Sequence, residues 1–218
     1  MANNYTGQAA LQTGSTLNDA LRVSNTGAQI VTQLHGPYAE QMVRGKLFIA
    51  TTVVTGIALI TTATTGNHPT IWNPAGSGVN LSIIEVSLMG IAAGTHAPTG
   101  IGWYRTASAG SSIATGAPIV TFTEVAPIPC LVGSGITSVA KWAPATCTFT
   151  TAPAYYCGID LTLATYVVTA VVPPWSAVKK YDGMLGIAPG NAMSLCSTAT
   201  TTTALLVAKI VYEEIPIL

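Results

Sequence analysis

The residues of this chain that could do chemistry are few, and their spacing does not predict a metal site. Three histidines each lie within two residues of Gly or Pro, as turn residues do: His35, His68 and His96. None has the i,i+4 or His-x-His spacing that brings two imidazoles to one face of a helix or strand. The four cysteines lack Cys-x-x-Cys spacing: Cys130, Cys147, Cys157 and Cys196. We therefore expect no metal and buried free thiols, with a Cys147–Cys157 bridge across a hairpin as the alternative.

Catalytic groups are equally hard to assemble from this sequence. The only adjacent carboxylates, Glu213 and Glu214, would point to opposite faces of a strand. No Gly-x-Ser-x-Gly nucleophile elbow occurs, and Gly76-Ser77-Gly78 lies between two predicted strands instead of between a strand and a helix. For the same reason this turn does not predict a phosphate loop. We expect a protein that is not an enzyme and that holds no cofactor.

Charge is sparse along the whole chain. Charged residues make up 7% of it, with 8 Lys+Arg against 8 Asp+Glu, whereas an average soluble domain has about 25%. Because a surface with net charge near zero promotes association, we expect much of it to be buried against other copies or other proteins. The alternative is a surface that Thr and Ser hydroxyls keep in solution.

Neither a membrane span nor an export signal is expected. The apolar run at 47–60 is shorter than the ~20 residues that cross a bilayer as a helix, and Thr residues interrupt it. The opening residues MANNYTGQ lack the basic and apolar regions of a secretory signal. We expect synthesis in the cytoplasm and no membrane partner.

Composition divides the chain into an extended N-terminal arm, residues 1–28, and a β domain, residues 29–218. The arm is rich in Asn, Thr, Gly, Gln and Ser and contains a single basic residue, Arg22. It is therefore not expected to neutralise nucleic-acid phosphates. Within the domain, Pro37 and the run that follows it predict one short helix that ends near Gly45.

The rest of the domain has about ten β segments separated by turn residues. Residues 81–92 alternate, which predicts that Ile84, Val86 and Leu88 share one face of a strand. Residues 159–172 predict a further strand, and residues 179–183 predict a turn. The repeated turn signals predict an antiparallel β-sandwich, and long strands with long loops favour the jelly-roll type.

Aromatic residues at predicted turn edges and strand starts suggest a binding surface. Such side chains can stack on sugars or fill pockets of a partner protein. The alternative is that they fill the ends of the sandwich. The residues that we expect to contact a partner, including one turn asparagine, are Trp72, Asn73, Trp103, Tyr104, Trp175 and Tyr181.

Three segments resemble virion proteins of tailed bacteriophages. The first, TIWNPAGSGVNLSIIEVSLMG followed by THAPTGIGWY, resembles a turn that precedes a strand in those proteins. Its matching residues are Asn73, Pro74, Gly76, Ser77 and Gly78. The upstream RVSNTGAQIVTQLHGPYAEQMVRGKLFIA resembles their entry segment. The ending, with the Pro189-Gly190 turn, a Thr-rich connection and the closing residues 213–216, resembles their last strands.

This resemblance covers most of residues 22–218 and implies a jelly roll that assembles as a homotrimer. It implies no catalytic residues. From it we expect a structural virion protein of the capsid-decoration or minor-head type, assembled in the host cytoplasm. Such a protein would dock on other virion proteins, such as the major capsid protein, and stabilise the particle. The alternative is a receptor- or glycan-binding module of a phage tail or fibre.

Overall fold

The computed structural model describes residues 36–61, 65–92, 100–106, 119–159, 176–198 and 204–217. The predicted arm, Trp175 and nearly all of the strand predicted at 159–172 lie outside these residues. Residues Glu40–Leu218 belong to one compact unit, which contains the strands. None of the helices among the described residues combines the length and the apolar character that a bilayer crossing requires.

The predicted short helix is present as α1 (Ala39–Val43). The chain leaves it through Gly45, whose positive φ of 67° favours glycine because glycine has no Cβ. Glu40 and Arg44 form an i,i+4 ion pair on the exposed helix surface. An exposed pair of this kind contributes little to stability.

Strands make up most of the remaining described residues. Their bounds in chain order are β1 (Leu47–Thr51), β2 (Thr65–Asn67), β3 (Thr70–Asn73), β4 (Val79–Ala92), β5 (Ile101–Arg105), β6 (Ile119–Phe122), β7 (Ile128–Pro129), β8 (Lys141–Ala143), β9 (Thr146–Phe149), β10 (Ala154–Ile159), β11 (Ser176–Ile187), β12 (Asn191–Ser197) and β13 (Leu205–Pro216).

Within the described residues these strands form three sheets. The first sheet has the strand order β11-β4-β13-β1-β7, the second has β10-β5-β12-β3-β8, and the third has β2-β9-β6. Each of these strand pairs is antiparallel. The prediction of an all-β protein with antiparallel sheets is therefore confirmed.

Both five-stranded sheets contribute side chains to one buried apolar cluster, which we call the main core. The first sheet supplies Phe48 and Ile210, and the second supplies Ile71, Trp103 and Leu195. Alternate residues of a strand point to opposite faces of its sheet. Each of the two sheets therefore turns one face to the main core and the other face away from it.

The segment between β5 and β10 extends both sheets. In this segment, β7 pairs with β1 at the edge of the first sheet, and β8 pairs with β3 at the edge of the second. Trp142 of β8 is fully buried, and its Nε1 donates a hydrogen bond to the carbonyl oxygen of Thr51 at 2.8 Å. Cys147 and Phe149 of β9 pack with Ala192 in a smaller cluster on the outward face of the second sheet.

A β-bulge in β4 changes which isoleucine faces the main core. The pairing of β4 with β13 shifts register so that Ile84 is an extra residue. Ile83 therefore joins Val86 and Leu88 in the main core. The prediction that Ile84 shares a face with Val86 and Leu88 is wrong, because alternation in the sequence does not show where a bulge interrupts it.

The turn predicted at 179–183 is an irregularity inside a longer strand. β11 continues through these residues, but its pairing with β4 jumps from Lys180 to Leu185. Asp182 and Gly183 have positive φ values of 47° and 86°. The turn chemistry is therefore present, but it bends a strand instead of ending one.

Two neighbouring isoleucines test the position of the bulge in β4. We expect Ile83→Ala to lower the free energy of unfolding by about 3 kcal/mol, because it empties a core position. Ile84→Ala is the matched control and should cost less, because Ile84, although buried at 6% exposure, lies outside the main core. Urea unfolding followed by circular dichroism measures both losses, and equal losses would contradict the assigned bulge.

Candidate functional site

The aromatic side chains predicted to contact a partner are mostly buried. Trp103 lies in the main core, and Tyr104 and Tyr181 are only 6% and 7% exposed. Trp72 is half-buried and packs against the smaller cluster, and Trp175 lies outside the described residues. Trp103, Tyr104 and Tyr181 are therefore packed within the fold of a single chain.

Asn73 is fully buried and connects three strands. Its Nδ2 donates hydrogen bonds to the carbonyl oxygens of Val79 at 2.8 Å and of Ile187 at 2.9 Å. These two carbonyls lie at the start of β4 and the end of β11, whereas Asn73 ends β3. The amide therefore joins the second sheet to the first.

Residues 74–78 form the predicted turn between β3 and β4. Gly76 and Gly78 have positive φ values of 76° and 73°. The Ser77 N–H donates to the carbonyl oxygen of Pro74 at 3.2 Å, and the Ser77 hydroxyl donates to that of Val79 at 3.2 Å. These bonds close the turn beside Asn73, so this segment holds the connection between the two sheets.

The face of the first sheet that points away from the main core is a half-exposed surface of mixed apolar and polar side chains, which we call the outer face. One row of residues across the strands consists of Ile128, Ile49, Val211, Glu85 and Lys180. The next row consists of Thr51, Lys209, Ser87 and Val178. The third row consists of Val207, Met89 and Ser176.

Large apolar side chains on the outer face are open to solvent. Val178 is 59% exposed, Ile128 is 56% exposed and Met89 is 46% exposed. Exposed apolar side chains that share one face of a sheet mark a site of interaction with another molecule more often than singly scattered ones do. β11 is also an edge strand among the described residues, and edge strands can pair with a further chain.

An ion pair crosses the middle of the outer face. The Lys209 Nζ lies 3.0 Å from the Glu85 Oε1, and the Ser87 hydroxyl donates to the same oxygen at 2.9 Å. Partial burial alone would raise the pKa of Glu85. Hydrogen bonds from Lys209 and Ser87 and the charges of Lys209 and Lys180 outweigh that effect, so the pKa lies below its ordinary value. Glu85 is therefore ionised at neutral pH, and it is paired within its own sheet.

A histidine and a cysteine meet where β12 lies against the segment that joins β2 to β3. The His68 Nδ1 lies 3.1 Å from the Cys196 Sγ, and both residues are fully buried. Phe149 makes an edge contact with the His68 ring at a centroid distance of 5.6 Å. A cysteine beside a histidine is the pair used in nucleophilic catalysis. The sequence did not indicate this contact, because 128 positions separate the two residues.

The surroundings of Cys196 oppose nucleophilic chemistry. Burial raises the pKa of the Cys196 thiol to about 12 and, despite a hydrogen bond with Thr70, that of Cys147 to about 11. The thiolate is the reactive form of cysteine, so both thiols are protonated at neutral pH. We therefore interpret the contact between Cys196 and His68 as a buried hydrogen bond.

Metal binding and disulfide formation are two further kinds of chemistry that His, Cys, Asp and Glu side chains could support. Across the described residues, no group of three or more His, Cys, Asp or Glu side chains is placed to hold a metal ion. The four cysteines are not joined in disulfides, so the Cys147–Cys157 bridge is not formed.

Comparisons with protein-family models, with curated proteins and with solved structures found no match for this chain. The interpretation of its surfaces therefore depends on their own geometry.

Sequence reasoning missed the outer face as a candidate site. The signal was present in β13, where Val207, Lys209 and Val211 alternate with the buried Ala208 and Ile210. When apolar residues occupy both the odd and the even positions of one strand, apolar side chains lie on both faces of its sheet.

Asn73 and Asn191 test the junction between the sheets. Asn73→Ala should lower the free energy of unfolding by about 2 kcal/mol, because it leaves two carbonyl oxygens at the junction without their amide donor. Asn191→Ala is the matched control, since the longer hydrogen bonds of its amide, 3.2 and 3.4 Å, stay within its own turn. Urea unfolding of both variants gives the comparison, and an equal or larger loss for Asn191→Ala would contradict the role of Asn73.

The reactivity of the four cysteine thiols tests whether Cys196 is an inert buried residue. At pH 8 in native buffer, iodoacetamide should modify Cys130 and Cys157, which are half-buried, well before it modifies Cys147 and Cys196. Mass spectrometry of digested samples measures each site over time. Unfolding in urea should make the four rates similar. Rapid native modification of Cys196 would contradict the interpretation of an inert buried thiol and would favour a catalytic dyad.

Proposed function

We propose that this protein is a structural component of a tailed-bacteriophage virion, built on a jelly roll that assembles with copies of itself. The observation that carries the proposal is the order of eight strands: β1, β3, β4, β5, β10, β11, β12 and β13. If they are counted along the chain, the first sheet contains them in the order sixth, third, eighth, first. The second sheet contains them in the order fifth, fourth, seventh, second.

This order supports a jelly roll because successive strands of the eight alternate between the two sheets, except that the fourth and fifth are paired neighbours in the second sheet. Jelly rolls have eight strands in two Greek keys and occur in viral capsid and lectin domains. A fold alone does not determine function. The virion assignment is therefore also supported by the resemblance of three sequence segments and by the small number of charged residues.

The outer face is the surface through which we propose that copies associate. Three long strands, β11, β4 and β13, with 12, 14 and 12 residues, lie side by side in it. At about 3.4 Å per residue and about 4.8 Å between strands, the full length of these strands, which extends beyond the three rows of the outer face, outlines roughly 600 Å². The shorter strands β1 and β7 add to this area, which approaches the ~800 Å² that each partner buries in a stable interface.

The electrostatics of the outer face favour a second copy over a strongly charged partner. The Glu85–Lys209 pair neutralises itself, so burying this surface leaves Lys180 as the remaining charge near its edge. Interface centres are usually depleted of charged residues, and here the two charges at the centre are already paired within one chain. On this proposal the copies form a homotrimer, and the trimer docks on other virion proteins such as the major capsid protein.

A pair of charge substitutions tests the association. Wild-type protein should elute with a light-scattering mass of three chains, whereas Val178→Glu combined with Met89→Glu should yield monomer, because each substitution places a carboxylate in the contact. Val132→Glu is the control: Val132 is 87% exposed and lies outside the outer face. Circular dichroism establishes that each variant is folded. A wild-type monomer, or a double variant that keeps its oligomeric mass, would reject the outer face as the interface.

The virion assignment needs a separate measurement. Particles purified from the organism that carries this gene should contain the protein at a fixed ratio to the major capsid protein, as measured by quantitative mass spectrometry. Gold-labelled antibody against the protein should then decorate the particles in electron micrographs. Its absence from purified particles would reject the assignment even if the purified protein assembles.

A further inference from the structure

Two consecutive tyrosines on β10 are open to solvent although they are neighbours in one strand. Tyr155 is 57% exposed and Tyr156 is 53% exposed. A regular strand would point them to opposite faces. The pairing of β10 with β5 shifts register between Tyr155 and Cys157, so Tyr156 is the extra residue of a bulge. The bulge keeps both aromatic side chains at the surface.

Glycines give the ring of Tyr155 a flat support. Gly102 and Gly158 lie opposite each other in β5 and β10. A Cβ atom at Gly102 would lie 3.0 Å from the Tyr155 Cε2, and one at Gly158 would lie 3.2 Å from the Tyr155 hydroxyl oxygen. The ring therefore lies over two residues that have no side chain, which lets it approach the sheet closely.

Tyr104 fixes the same ring from the side. It lies opposite Tyr155 in the register, and the two rings meet edge to face with centroids 5.4 Å apart at an angle of 80°. Tyr104 is itself buried. Contacts on two sides restrict the ring of Tyr155, so a ligand that stacks on it loses little additional side-chain entropy.

This aromatic surface lies on the outward face of the second sheet, next to the part that the third sheet covers. On β12, Ser194 lies opposite Tyr104 and Cys196 lies opposite Gly102. Both are buried, and they contact Thr70 and His68. Toward β10 the same face opens to solvent at Tyr155. Thr198 is exposed there, and its Cγ2 lies 3.3 Å from the place of a Cβ on Gly102.

We propose that Tyr155, Tyr156, Gly102, Gly158 and Thr198 form a binding platform for a neutral sugar ring. A sugar ring has an apolar C–H face that suits a flat aromatic ring and hydroxyls at its rim. Here the Thr198 and tyrosine hydroxyls supply polar partners at the edge of the platform. None of the platform residues is charged, so a neutral ligand fits better than an acidic or a basic one.

The size of the platform also favours a small ligand. A tyrosine buries about 150–250 Å² when it is fully covered, and roughly half of that area is open on each of these two side chains. This is well below the ~800 Å² that a protein partner would have to bury. The platform is also separate from the outer face used in the proposed function, so each proposal can fail without the other.

Ligand-observed saturation-transfer NMR on the full-length protein tests this platform. The probes are the methyl glycosides of glucose, galactose, mannose, rhamnose and N-acetylglucosamine, each at millimolar concentration. At least one probe should receive saturation through its ring C–H protons. Tyr155→Ala should weaken its binding by about tenfold, the value of one aromatic contact. Tyr155→Phe should retain most of the binding, because it keeps the ring.

Two further samples separate loss of binding from loss of fold. Gly158→Val leaves every aromatic residue in place. It should still weaken binding, because the valine side chain would push the Tyr155 ring off its support. Met184→Ala removes an exposed apolar residue of the first sheet and should bind as wild type does. Circular dichroism and thermal unfolding identify folded variants.

The outcomes are distinct. Absence of saturation for every glycoside, or saturation that is unchanged in folded Tyr155→Ala and Gly158→Val, would overturn the proposal. Binding of a tyrosine- or proline-rich peptide in place of the glycosides, lost in the same variants, would assign the platform to a peptide and also overturn it. A monomeric wild type that still binds a glycoside through Tyr155 would reject the proposed assembly and leave the platform intact.

Discussion

The pairing of β4 with β13 is the interaction on which the rest of this fold depends. These strands pair from Leu205 opposite Ala92 to Pro216 opposite Val79, with two register shifts along the way, and β11 and β1 pair with their other edges. Their inward residues, such as Val86 and Ile210, occupy the main core. The same two strands carry the ion pair and much of the apolar surface of the outer face. A shift of register here would therefore exchange the core face for the surface face.

Much of the fold could be predicted from the sequence because the strands are β-branched and the turns contain Gly, Pro and Asn. The short helix, the turn at Gly76 and Gly78, and the last strands follow from local chemistry. The bulge at Ile84 and the irregular pairing after Lys180 could not be predicted in this way. Each depends on the strand that lies alongside, and its local residue pattern is compatible with regular pairing as well.

The candidate sites were harder to predict than the fold for a related reason. Trp103 and Tyr155 are both aromatic residues of paired strands, yet Trp103 is fully buried and Tyr155 is mostly exposed. This difference in exposure depends on which face of the sheet each residue points to and on what covers that face. Trp103 points into the main core, whereas Tyr155 lies on the outward face beyond the third sheet. Sequence chemistry identifies which residues could bind, but long-range packing determines which of them are accessible.

The pairing of β1 with β13 has a consequence for how the protein is made. Thr52, just past β1, exchanges hydrogen bonds with Ala208 of β13, and 156 positions separate them. During translation β1 cannot acquire this neighbour until the 156 positions that separate the two residues have been made. Contacts between distant parts of a chain also slow folding, because a long loop must close first. The nascent chain must therefore leave one edge of an apolar strand unpaired while those positions are made, which makes chaperone protection an advantage at that stage.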